Sequence, residues 1–123
     1  MSARAALVLA ALLMAAAVGA GAFGAHALRT RVDAAALGVW NTAVQYHAWH
    51  ALGLLAVGLF MLHAPDRAGL PFAGWLFVAG IVLFSGSLYA LALGAPRAIG
   101  AITPLGGVAF LAGWIVLAWA ASR

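Results

Sequence analysis

Four apolar stretches, each about as long as a bilayer is thick, constrain this chain more than any other feature. The first runs from Ala5 to Ala25 without a charge. About 20 helical residues cross roughly 30 Å of hydrocarbon, and four segments meet that length, at about residues 5–26, 40–63, 71–93 and 104–121. The apolar runs are continuous rather than alternating, which excludes a β-barrel. Short polar breaks separate them: Leu28-Arg29-Thr30-Arg31-Val32-Asp33, then His63-Ala64-Pro65-Asp66-Arg67-Ala68-Gly69, then Gly94-Ala95-Pro96-Arg97. Asp33 is placed to cap the second helix, Pro71 suits the first turn of the third, and Thr103-Pro104 reads as a cap followed by proline at the first helical position. Breaks this short join antiparallel neighbours. The predicted fold is therefore an all-α membrane protein, an antiparallel four-helix transmembrane bundle forming one domain over residues 1–123.

Composition narrows the function classes. Only 7% of the residues are charged, against about 25% in soluble domains, too few to cover a water-facing surface. A soluble enzyme and a disordered regulator are excluded. So is a nucleic-acid binder, because the six basic residues are all arginines scattered along the chain and cannot neutralise a run of phosphates. There is no cysteine, hence no disulfide, thiolate nucleophile or sulfur metal site. Arg4, the apolar run after it and Ala20-Gly21-Ala22 resemble a secretory signal peptide, but the run extends to Ala25, and an uncleaved first span is expected. Orientation is a tie: Arg4, Arg67 and Arg123 fall on one side and Arg29, Arg31 and Arg97 on the other.

Lipid tails are as apolar as leucine, so the helices must associate through close packing and interhelical hydrogen bonds. Ala16-Ala20-Gly24, Ala17-Gly21-Ala25 and Ala109-Gly113 offer small residues at four-residue spacing, although no GxxxG occurs. The polar residues gather elsewhere. His26 ends the first span; Asn41, Thr42, Gln45, Tyr46, His47 and His50 lie in the first half of the second; Ser85, Ser87 and Tyr89 lie late in the third; Thr103 opens the fourth. With alternating direction, all of these fall in one half of the membrane, beside Arg29, Arg31 and Arg97. Each polar group within a span is a site hypothesis. The candidate cluster is His26, Asn41, Gln45, Tyr46, His50, Ser85, Ser87, Tyr89 and Thr103, a polar mouth facing one side. Thr42, Tyr46 and His50 form a stripe at four-residue spacing that is expected to face the interior.

The runs Gly21-Ala22-Phe23-Gly24-Ala25-His26, Tyr46-x-x-x-His50-Ala51-Leu52, Phe84-Ser85-Gly86-Ser87-Leu88-Tyr89, Thr103-Pro104-Leu105-Gly106-Gly107 and Gly113-Trp114 resemble the signature blocks of the YgdD-like family, whose animal members are called transmembrane protein 256. The resemblance spans nearly the whole chain in order. It implies a small four-span protein, in bacteria of the inner (plasma) membrane, with no reaction attached and hence no catalytic residue to carry over. His47 and His63 lie outside the matching blocks.

Several sharper readings compete. His47 and His50 could share a metal or haem with His26, yet entry of the second span near Trp40 would put His50 about 15 Å deeper than His26. Ser85 or Ser87 beside a histidine base lacks a carboxylate to orient that base, since Asp33 and Asp66 are both in loops. A small transporter would have to couple to protons through His26 or His50. The tryptophans at span ends read as the interfacial belt, with Trp49 as the exception that lines a site. The expectation is a non-enzymatic integral membrane protein with no cofactor. Its polar cluster either binds a lipid or small amphiphile, with Arg29, Arg31 and Arg97 near an anionic headgroup, or ties the bundle together. In the second case the protein serves as an accessory subunit of a larger membrane complex or as a homo-oligomer.

Overall fold

The Asp33 carboxylate accepts the amide of Ala36 at 2.8 Å, and from that cap α2 runs unbroken over Ala34–His63. The hydrophobic run alone placed this start near Trp40. The helix begins six residues earlier because the cap, not the onset of apolar sequence, satisfies the first free amides. The computed structural model covers residues 1–123 and contains no strands. Before α2, α1 spans Ala3–His26, with Ser2 accepting the amide of Ala5. A third rod follows as α3 (Leu70–Gly80), a π-helical turn (Ile81–Ser85) and α4 (Gly86–Ala92). Last comes α5 (Thr103–Ala121).

The turns are built by residues suited to them. Gly69 precedes α3 with φ 93° and Gly94 follows α4 with φ 97°, both in the left-handed region where a side chain is strained. At Gly94 the amide of Ala95 reaches back to the Ala90 carbonyl at 3.0 Å, a Schellman closure. Pro71 and Pro104 sit in the first turns of α3 and α5. Thr103 does not cap α5. Ile102 holds the cap position, and the Thr103 hydroxyl is turned to Ser87.

Three segments are long and apolar enough to cross a membrane: Ala3–Thr30, Leu70–Ala92 and Arg97–Ala121. α2 is the longest helix, but its first half carries the polar residues that lower its hydropathy.

α2 is the hub. α1 packs along it almost exclusively, while α3 and α4 pack on another of its faces and α5 packs on α3. The buried positions of α2 include Trp40, Ala43, His47, His50, Leu54, Val57 and Met61, a three-four alternation that is the period of left-handed helix pairing. On α1 the buried residues are Ala6, Ala10, Ala17 and Gly24. Strict four-residue rows therefore drift out of the seam: Ala16 and Ala25 are exposed, and so is Thr42, whose hydroxyl bonds the Gly38 carbonyl of its own helix.

α3 and α5 interlock by alternating glycine and phenylalanine. A Cβ on Gly113 would meet Phe77, one on Gly80 would meet Phe110, and one on Gly106 would meet the backbone and Cβ of Phe84. Each step of three or four residues along α5 is matched by an equal step back along the third rod. Next in that series is Thr103 beside Ser87.

Candidate functional site

Four of the nine residues predicted for the cluster, Ser85, Ser87, Tyr89 and Thr103, are spent on pairs between helices. The Ser85 hydroxyl, fully buried, donates to the Ala43 carbonyl of α2 at 2.8 Å. Ser87 and Thr103 hydroxyls lie 2.6 Å apart, joining α4 to α5, and Ser87 also donates to the Phe84 carbonyl. Tyr89 Oη is 3.0 Å from His47 Nδ1, joining α4 to α2. Trp40 donates its indole N–H to the Ala20 carbonyl at 2.9 Å, joining α2 to α1. In a membrane such bonds are worth about 0.6 kcal/mol each on average. They tie three separate helix interfaces and do not converge on a common cavity.

The remaining candidates divide further. His26, Asn41 and Gln45 are exposed, as are Arg29, Arg31 and Arg97, and none of the six makes a side-chain hydrogen bond. The antiparallel register sets Gly58 against Leu7, Val44 against Gly21 and Trp40 against Gly24, which puts His26 about 16 Å from the level of His50 along the axis. His47 turns toward Tyr89 and His50 toward Phe110. The three histidines hold no common point, and no group of three ligating side chains is assembled anywhere in the chain.

His50 and Tyr46 belong to a different structure. The backbones of α2 and α5 hardly approach each other, and rings fill the space between them. The His50 imidazole lies flat on Phe110, with centroids 3.4 Å apart and planes inclined by 11°. Phe77 and Trp114 stand tilted around it, while Tyr46 packs on Phe84. Beside them opens a cleft of about 300 Å³, lined by Tyr46, His50, Phe84, Gly107, Phe110, Leu111 and Trp114. Gly107 leaves it open, since a Cβ there would meet nothing closer than Phe84 Cδ2 at 3.9 Å. The opening is on the side of the bundle, between two helices, and not at its polar end. Trp114 lines it in place of Trp49, which is half exposed beside Tyr46.

His50 is 5% exposed, and its Nδ1 lies 2.7 Å from the Tyr46 carbonyl oxygen. A carbonyl only accepts, so Nδ1 carries the hydrogen, and Nε2 of the neutral ring is left as an acceptor. That Nε2 has no bond within the protein, yet it is not sealed in, because the only enclosed side-chain nitrogen or oxygen without a partner is His47 Nε2. His47 stood outside the predicted cluster, Phe84 entered only as the first residue of a matching block, and Phe110 was not singled out. The signal that marks His47 is its seven-residue spacing from Trp40 and Leu54, both in the seam.

At the opposite end, Arg67 donates to the Ala120 carbonyl at 3.2 Å, and the loop Ala64–Ala68 with Arg123 encloses a more open hollow of about 340 Å³.

Residues 20–107 match a family described as "Protein of unknown function (DUF423)". The chain is 50% identical over 98 residues to the UPF0382 membrane protein YwdK of Bacillus subtilis, covering 80% of each chain. It is 50% identical over 92 residues to a UPF0382 membrane protein of Staphylococcus saprophyticus, covering 75% of each. A UPF0382 membrane protein of Haemophilus influenzae is 46% identical over 94 residues, 76% of this chain and 74% of that one. No solved structure matches.

Proposed function

The chain belongs to the DUF423 family of membrane proteins, and on that premise we propose that it is a non-catalytic four-span protein that takes a small amphiphile from the bilayer into the cleft beside His50. The apolar helices and the relatives' printed names support the membrane setting. The fourth span in this reading is α2, whose His47 and His50 are covered by the other rods while Asn41, Thr42 and Gln45 stay exposed. The blocks resembling the YgdD-like family fit the same small family, and bacterial relatives favour the inner membrane.

One observation carries the reading: of the four buried polar residues, Ser85 and Ser87 are bonded within the protein, His47 and His50 each keep a ring nitrogen without a partner, and of these two only His50 opens onto a cavity. Cavities of about 300 Å³, mostly apolar with one or two placed polar groups, are the usual form of a small-molecule site. The cluster of Ser85, Ser87, Tyr89 and Thr103 then has a structural role, holding the helices that form the cleft walls. Arg29, Arg31 and Arg97 lie at the bundle end, in reach of headgroups there and remote from His50.

Native mass spectrometry of the protein, extracted gently from its own membranes, tests this. A discrete adduct lost in the Gly107→Leu variant is the expected result. A bare mass from well-folded protein would refute the binding role and favour an accessory subunit held to a larger complex.

A further inference from the structure

The chemistry of the cleft limits what it can hold. Its walls are four aromatic rings, Tyr46, Phe84, Phe110 and Trp114, which favour a flat ring offered face or edge. Its volume of about 300 Å³ is twice the roughly 150 Å³ that encloses one benzene, enough for one or two fused rings and too small for a lipid tail folded on itself. No cation lines it. The arginines nearest it in sequence, Arg97 and Arg123, lie beyond the two ends of α5 (Thr103–Ala121), each more than about 10 Å from Phe110 along the axis. An anionic headgroup at His50 would sit in an aromatic cage without a countercharge, at a large desolvation cost.

Two polar groups belong to the lining residues, Nε2 of His50 and the Tyr46 hydroxyl, and neither has a bond within the protein. Because Nδ1–H is committed to the Tyr46 carbonyl, the imidazole offers only an acceptor and needs a donor, while the Tyr46 hydroxyl can donate or accept; a ligand hydroxyl satisfies both. Stacking on Phe110 fixes the plane in which that acceptor points.

We propose that the His50 cleft selects a neutral aromatic amphiphile bearing a hydroxyl, a phenol or hydroquinone ring, whose O–H donates to His50 Nε2. This rests on the reading that the cleft binds an amphiphile at all. Gly107 is the residue that admits the ring, and Phe110 sets the orientation of the acceptor.

Three probes of one size separate the terms: naphthol, methoxynaphthalene and naphthoate. Each is measured by equilibrium dialysis against the full chain in lipid nanodiscs, with empty discs of the same lipid subtracted. Naphthol is expected to bind about tenfold tighter than methoxynaphthalene, the value of a good hydrogen bond in a water-poor site, and naphthoate weakest. In His50→Phe, which keeps a ring against Phe110, the two neutral probes become equal, and Gly107→Leu excludes all three. A second readout does not depend on variants: the ring-nitrogen NMR signal of Nε2 in the wild-type chain shifts with naphthol and not with methoxynaphthalene. Equal binding of the neutral probes to wild type, with no nitrogen shift, overturns the donor selection while leaving the cleft as a binding site. Tightest binding by naphthoate overturns it in favour of an anion site. Failure of every probe to exceed empty discs, together with a bare native mass, removes the amphiphile reading itself.

Discussion

The ring of Phe110 lies over the bare Cα of Gly80, so close that a methyl group added to the glycine would meet Cγ of the ring at 3.0 Å and other ring atoms nearer still. The same ring carries His50 on its other face. One phenylalanine thus joins the α3–α5 interface to the cleft, and its position depends on a residue with no side chain.

Neighbouring glycines of α5 should therefore respond oppositely. In Gly106→Ala the new Cβ meets Phe84 Cα at 2.7 Å, a backbone atom that cannot turn aside. Overpacking of this kind costs about 1–3 kcal/mol. Gly107→Ala has room and gains helix propensity, so it should be neutral or stabilising by up to about 1 kcal/mol. Thermal unfolding in one detergent compares the two. A Gly106→Ala protein as stable as Gly107→Ala would show that the close approach is not needed.

Ser85→Ala should cost little. The Ala43 carbonyl that Ser85 bonds lies inside α2 and keeps its own helical amide, so only a bond worth about 0.6 kcal/mol, at most about 1.7, is lost. Ser85→Leu should cost several times more, because the site is fully enclosed. Equal losses in the two variants, measured by reversible unfolding in mixed micelles, would count against this division.

His47 and Tyr89 should behave as a coupled pair. Removing either side chain's polar atom leaves the other unpaired in a buried site, and His47 already has an enclosed Nε2 without a partner. Replacing both by apolar residues removes all of the unsatisfied groups. The His47→Leu/Tyr89→Phe double variant is expected to be at least as stable as the worse single, with a coupling of about 0.5–1.5 kcal/mol in the cycle. Strict additivity would show that the 3.0 Å contact contributes nothing.

Four spans require both termini and the Asp66 loop on one side. The chain has no cysteine, so single replacements report cleanly. Ser2→Cys, Asp66→Cys and Ser122→Cys should be labelled by an impermeant maleimide from one face of sealed vesicles, and Arg31→Cys and Arg97→Cys only from the other. If Arg31→Cys and Asp66→Cys react from the same face, α2 does not cross.

The helices and their ends were legible because a bilayer-length apolar run is a one-dimensional signal and because Asp33, Pro71 and Gly94 mark boundaries locally. At α2 the apolar run begins at Trp40, seven residues after the Asp33 cap that the sequence marks, so the span bounds read from hydropathy started late while the cap was read correctly. The seams were less legible, since four-residue spacing of small residues is only one part of a three-four alternation, and it moved Ala16, Ala25 and Thr42 to the wrong face. The cleft could not be read at all. Phe84 and Phe110 look like any other apolar residue of a span, and their meeting with Tyr46 and His50 depends on how α2 sits against α5, which no local pattern records. The π-helical turn at Ile81–Ser85 likewise has no counterpart in the sequence reading. Its i+5 bond from the Gly86 amide to the Ile81 carbonyl lies on either side of Phe84 and Ser85, the residues that serve the cleft and the tie to α2.

The glycine–phenylalanine alternation between α3 and α5 works as a ratchet with one tooth engaged. A slip of one step in either direction would bring phenylalanine against phenylalanine and leave glycine facing glycine, a clash and a void together. The pair is a stiff wall. Any widening of the passage to His50 must then come from α2 swinging on its own contacts, carrying α1 with it, so entry to the site is governed by the pair of helices that supplies only Tyr46 and His50 to its lining.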